Sequence, residues 1–126
     1  MFGSFDCQKN IELLKLLLNH SSNRVYRAYL QGLLPLNEQD LQDLNSFYKA
    51  NNSFRTNPPL LNSIPNSFQQ AIRGYLKNEI ELIDTLVKLL FSEAQNERRE
   101  VLYNIIRRRL EAVGTLTNFF NNGFFI

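Results

Sequence analysis

Apolar residues recur along this chain at steps of three and four, the spacing of one helical face. From Asn10 onward, Ile11, Leu14, Leu18, Val25, Tyr29 and Leu33 follow that spacing, interrupted by His20-Ser21-Ser22-Asn23. The interruption is either a polar patch within one long helix or a turn in which Ser21 or Ser22 caps a second helix. Pro35 predicts a stop, because proline donates no ladder hydrogen bond. Asn37 then reads as the N-cap of a short helix, with Glu38 and Asp40 in its first turn and Leu41, Leu44, Phe47 and Tyr48 on its apolar face, ending near Asn51-Asn52. Ser53 to Pro65 is an irregular crossover, with Pro58, Pro59 and Pro65 among Asn and Ser residues. Asn66 and Gln69 form a capping-box pattern for the next helix. Its seam is Ile72, Leu76, Glu79, Ile83, Leu86 and Leu90. After a joint at Glu93–Asn96, with Asn96 as cap, the last seam is Leu102, Ile106, Arg109, Val113, Leu116 and Phe120. Gly123 is a natural stop.

The pattern predicts an all-α, single-domain chain. A first, degenerate hairpin spans about 9–52, a crossover 53–65, a long second hairpin 66–121, and an apolar tail 122–126. No internal repeat is visible, although the chain divides into two helical halves. Two seams carry a charge where the pattern reserves an apolar residue: Glu79 in one and Arg109 in the other. Helix rotation would put one or both at a solvent-facing edge. Buried, the two would pair, since an isolated buried carboxylate is costly and a guanidinium matches it bidentately.

Composition narrows the chemistry. The 126 residues suffice for one core, and a formal charge of +2 does not by itself imply nucleic acid or a membrane surface. Arg107, Arg108 and Arg109 point about 100° apart on a helix, and Glu97, Glu100 and Glu111 dilute their field, so no nucleic-acid partner is expected. Tyr26, Tyr29 and Tyr48 read as packing residues. The single Cys7 excludes an intramolecular disulfide and the single His20 excludes most histidine-based sites within one chain. No apolar run is long enough for a transmembrane helix and no basic leader precedes the first one, so the expectation is a cytoplasmic protein. Phe119, Phe120, Phe124, Phe125 and Ile126 would make an exposed apolar patch unless they fold back on the bundle or meet a partner, a second copy included.

The second half resembles a known family. Phe68, Ala71 and Ile72, then Asn78-Glu79-Ile80-Glu81-Leu82-Ile83-Asp84, are similar to the first helix of a ferritin-like hairpin. Asn96-Glu97-Arg98-Arg99-Glu100 resembles the opening of its second helix, and Ile105-Ile106 the residues before its Asp-Glu-x-x-His motif. Rubrerythrins and the small ferritin-like proteins of spore-forming bacteria share this pattern, and Phe47-Tyr48 with the prolines of 58–65 looks like their junction between hairpins. The resemblance implies a ferritin-like four-helix bundle, in which carboxylates and histidines from four helices bind two metal ions, commonly iron. Spore association is implied by the resemblance alone.

The departures from that pattern carry the functional reading. Glu79 falls on a family ligand position. The Asp-Glu-x-x-His motif falls on Arg108-Arg109-Leu110-Glu111-Ala112, with both ligands absent. In the first half the corresponding motif falls near Asn37 and Asp40, and the first-helix ligand near Ser21 to Asn23. The expectation is a non-catalytic module, structural or protein-binding, that has lost its di-metal site and carries no cofactor, with a Glu79–Arg109 ion pair in its place. The alternative is residual iron or manganese binding by Glu79 with Glu81, Asp84 or Glu111.

Overall fold

The computed structural model describes residues 7–21, 23–48 and 68–121, which form four helices: α1 (Cys7–His20), α2 (Arg24–Tyr48), α3 (Phe68–Ser92) and α4 (Asn96–Asn121). Among the described residues there is no strand. The expected crossover, the capping pair at Asn66, and Phe124, Phe125 and Ile126 lie outside the described residues, as do the side chains of Cys7, His20 and Tyr48.

The first half is two helices broken at Ser21–Asn23, and the cap is neither serine. Asn23 Oδ1 accepts from the backbone N–H of Val25 at 2.9 Å and of Tyr26 at 3.3 Å, satisfying two of the four donors that a helix start leaves open. Val25 belongs to this first turn and is 68% exposed, so it is not part of the buried face.

Pro35 does not end a helix. α2 runs through it to Tyr48, and the predicted second start at Asn37 does not exist. The hydrogen bond that proline forfeits belongs to the carbonyl of Gln31. Gln31 and Pro35 are both exposed, so water can replace it. Meanwhile Leu30 and Leu33 before the proline and Leu44 after it are buried, and that packing holds both sides in one helix. Asn37 is buried and bonds backward, its Nδ2 donating to the carbonyl of Leu33 at 2.9 Å. At the second joint the carbonyl of Gln95 accepts the first helical bond, from Arg99 N–H at 3.0 Å, so the cap sits one residue before Asn96.

Contacts between the helices fix their directions. Asn10 reaches Asn78 and Glu79, while Leu13 lies beside Gly74, so α1 and α3 run antiparallel. Arg108 meets Asp40, Arg98 lies over the ring of Phe47, and Phe119 packs on Tyr26 and Tyr29, so α2 and α4 are antiparallel too. Each helix therefore opposes its neighbours around the ring α1–α2–α4–α3. α2 finishes at one end of the bundle and α3 begins at the other.

A repeat hidden in the sequence is plain in the fold. A step of 72 residues carries the end of α1 at His20 onto the end of α3 at Ser92, and the start of α2 at Arg24 onto the start of α4 at Asn96. The same step pairs Leu14 with Leu86, Leu17 with Leu89, Leu30 with Leu102, Leu33 with Ile105 and Leu44 with Leu116, all buried. It also pairs two arginines with one task. Arg27 Nη1 donates to the carbonyls of Leu18 at 2.5 Å and Ser21 at 3.3 Å, and Arg99 Nη1 to those of Leu90 at 2.7 Å and Glu93 at 3.0 Å. Each closes the C-terminus of the preceding helix, where a cation also meets the negative end of the dipole. The two hairpins are thus related by a pseudo-twofold axis over α1 with Glu79–Ser92 and α2 with α4, while the first half of α3 has no counterpart among the described residues.

The core follows that symmetry in part. One apolar cluster gathers Leu13, Leu14, Leu17, Leu30, Leu33, Ile72, Tyr75 and Leu116; the other gathers Leu44, Leu82, Leu86, Leu89, Leu102 and Ile105. Each fully buried leucine contributes about 1.5–3 kcal/mol of transfer free energy. Between the clusters lies a polar layer.

Candidate functional site: a buried ion network at the pseudo-twofold axis

The polar layer is built from all four helices. α1 supplies Asn10, α2 Asn37 and Asp40, α3 Tyr75, Asn78 and Glu79, and α4 Arg108 and Arg109. Glu79 is 1% exposed, Asp40 2% and Arg109 3%, so three formal charges sit in the interior. The helical period places them there: Glu79 falls between Ile72 and Ile83 on one face, and Arg109 between Leu102 and Leu116. Neither lies at a solvent-facing edge.

Arg109 is the hub. Its Nη1 donates to Glu79 Oε1 and its Nη2 to Asp40 Oδ2, the latter at 3.0 Å. Arg108, half-buried at the rim, donates from Nη2 to the other carboxylate oxygen of Asp40 at 2.8 Å. Glu79 accepts further bonds from Asn10 Nδ2 at 2.7 Å and from the Tyr75 hydroxyl at 3.0 Å. Asn78 Nδ2 in turn donates to Asn10 Oδ1, which fixes the Asn10 amide with its donor toward Glu79. Two carboxylates and two guanidiniums therefore balance, and each buried charge has charge-assisted partners.

Burial leaves its mark on the acidities. It raises the Asp40 carboxyl from its ordinary value, although Arg109 and Arg108 both pull it down. Burial also raises the Tyr75 phenol well above its ordinary value, and the neighbouring Glu79 charge adds to the rise. Tyr75 is thus a neutral donor to Glu79 at physiological pH.

The structure brings Glu79 and Arg109 together. It does not bring the weaker carboxylate set together. Glu81, Asp84 and Glu111 are exposed; Asp84 pairs with Lys88 at 3.0 Å and Glu111 with Arg107 at 3.2 Å. Among the described residues no three His, Cys, Asp or Glu side chains gather as a metal site would require. The carboxylate that does share the layer with Glu79 is Asp40, and the space between them holds a guanidinium. The first-helix ligand position expected at Ser21 to Asn23 is the turn between α1 and α2, remote from the layer; the twin of Glu79 is Cys7.

Asn10 and Tyr75 carry no site signal in the sequence; Asp40 and Asn78 carry only a positional one, Asp40 near the family's second-helix motif and Asn78 beside Glu79. By helix signals Asp40 reads as a first-turn acid of a helix that does not start there, and neither signal gives it a cation as partner. The signal that would have found Asp40 is the 72-residue step, which sets it opposite Ala112, one turn beyond Arg109. Phe119 and Phe120 fold back onto their own chain. Phe119 packs on Tyr26 with ring centroids 4.6 Å apart, and Phe120 lies under the Arg73 guanidinium at 5.7 Å. They do not form an exposed patch.

Comparison of the chain with models of protein families, with characterised proteins and with solved structures finds no match. Among the described residues no helix is long and apolar enough to cross a membrane.

Proposed function

We propose that this chain is a non-catalytic, ferritin-like four-helix module, structural or protein-binding, in which an ion network occupies the place of a di-metal centre. The observation that carries this reading is Arg109, whose guanidinium lies between Glu79 and Asp40 and bonds to both. A permanent cation there neutralises the carboxylates that a divalent ion would need, and the remaining polar donors are amides and a phenol rather than imidazoles. The residues present do not fit an iron or manganese pair. The family resemblance gains support from the helix order, since α2 ends and α3 begins at opposite ends, as one long crossover requires.

Metal analysis of protein purified without chelator tests the reading. Sub-stoichiometric metal, unchanged by Glu79→Ala, is expected. Stoichiometric iron or manganese that disappears in Glu79→Ala would overturn it. Light scattering on the same sample reads whether a second copy is a partner.

A further inference from the structure

The charges of the polar layer break a symmetry that much of the apolar core keeps. Under the 72-residue step Leu14, Leu17, Leu30, Leu33 and Leu44 map onto buried apolar residues, whereas Asp40 maps onto Ala112, Arg109 onto Asn37, Arg108 onto Leu36, and Asn10 onto Leu82. We infer that Asp40, Arg108 and Arg109 are a pairing code: they make the first hairpin complementary to the second, and neither complementary to a copy of itself.

Twin hairpins pose a problem that unlike ones do not. Over the stretches that the step relates, α1 with Glu79–Ser92 and α2 with α4, their apolar faces match one another and also match themselves, so that part of the core permits three docked pairs. In a pair of two first hairpins, Asp40 would face Leu36 and Asn37 of its partner in place of Arg108 and Arg109, leaving a buried carboxylate with no cation. In a pair of two second hairpins, Ala112 would replace Asp40 and Arg109 would replace Asn37, so two guanidiniums would meet at the axis. Leu82 would replace Asn10 as well, removing an amide donor from Glu79. The mixed pair alone balances two carboxylates against two arginines. A buried ionic set need not add stability over an apolar core, but it discriminates strongly against partners that leave a charge unpaired. That division of labour suits a position where packing is degenerate.

The test replaces each residue by the one its twin already carries. The full-length chain, Asp40→Ala, Arg109→Asn and the double variant are refolded from denaturant over a range of protein concentrations. Helicity is read by circular dichroism and mass by size exclusion with light scattering. Wild type should return as one species of fixed mass throughout. Asp40→Ala and the double variant should regain helicity but lose that single mass, giving a concentration-dependent mixture. Arg109→Lys, which keeps the cation, should behave as wild type. Variants that refold to the wild-type mass at every concentration would overturn the inference. So would an Asp40→Ala chain that fails to regain helicity, since the charge would then be needed for folding as such rather than for choice of partner. Neither outcome bears on metal content, so the inference and the proposed function fail separately.

Discussion

Arg109 on α4 holds Asp40 on α2 at 3.0 Å, across the seam where the two hairpins meet. The same guanidinium also holds Glu79 of its own hairpin. One side chain therefore joins a contact within a hairpin to a contact between hairpins, and most consequences of the site follow from that double engagement.

The first concerns energetic coupling. Arg109→Leu leaves Glu79 and Asp40 buried without their central cation and should cost about 3–5 kcal/mol. Glu79→Leu leaves Arg109 with Asp40 and should cost less. The double variant should lie well below the sum of the singles, because its second substitution removes a charge that the first had orphaned. Urea unfolding of the three variants measures this; additive effects below about 1 kcal/mol would contradict it.

The second concerns pH. The carboxyl of Asp40 has a higher pKa folded than unfolded, so the folded state holds more protons between those two values. The contribution of Asp40 to stability is therefore greatest below the ordinary carboxylate value, declines as pH rises through the window up to the raised value, and is level above it. Asp40→Asn removes that decline. Unfolding free energies of wild type and variant from about pH 3 to about pH 7 should show the wild-type advantage shrinking, or its deficit growing, as pH rises. A trend of the opposite sign would refute the assignment.

The third concerns Pro35, exposed in the interior of α2. Pro35→Ala restores a donor to the ladder and should raise stability by up to about 3 kcal/mol. The greater freedom of the unfolded alanine chain removes part of that gain. Thermal unfolding reads the shift; a fall in midpoint would mean that the proline is required for the course of the helix.

The fourth uses the twin arginines. Arg99→Ala and Arg27→Ala each remove two bonds to carbonyls at the end of the preceding helix and in the turn that follows it, at a cost of about 1 kcal/mol. The Arg99 bonds are part-buried and one Arg27 bond is exposed, so Arg99→Ala should be the more damaging. Chemical denaturation of the two variants side by side decides it.

The sequence made the second hairpin more readable than the first, for physical reasons. In α3 and α4 the apolar period runs unbroken through Glu79 and Arg109, so even the charged positions announce their face. In α2 two local signals, Pro35 and Asn37, contradict the tertiary structure. Both are strong in an isolated peptide, and both yield to the burial of Leu30, Leu33 and Leu44 around them. Misplacing that helix start also hid the partners of Asp40: its position near the family's motif was legible, but a carboxylate in a first turn needs no cation to explain it. The repeat escaped notice because it lives in burial and hydrogen bonding more than in identity. Arg27 and Arg99 match, yet the exposed faces around them share little.

The twofold relation also bears on the order in which the chain assembles. Arg109 and Glu79 lie 30 residues apart within one hairpin, whereas Arg108 reaches 68 residues back to Asp40. Closing the longer loop costs about 0.7 kcal/mol more chain entropy. It also requires the first hairpin to be in place. Substitutions at Asp40 should therefore act chiefly on the rate of unfolding, and those at Glu79 more on the rate of folding. The guanidinium of Arg109 would then record assembly in two stages, one for each carboxylate it holds.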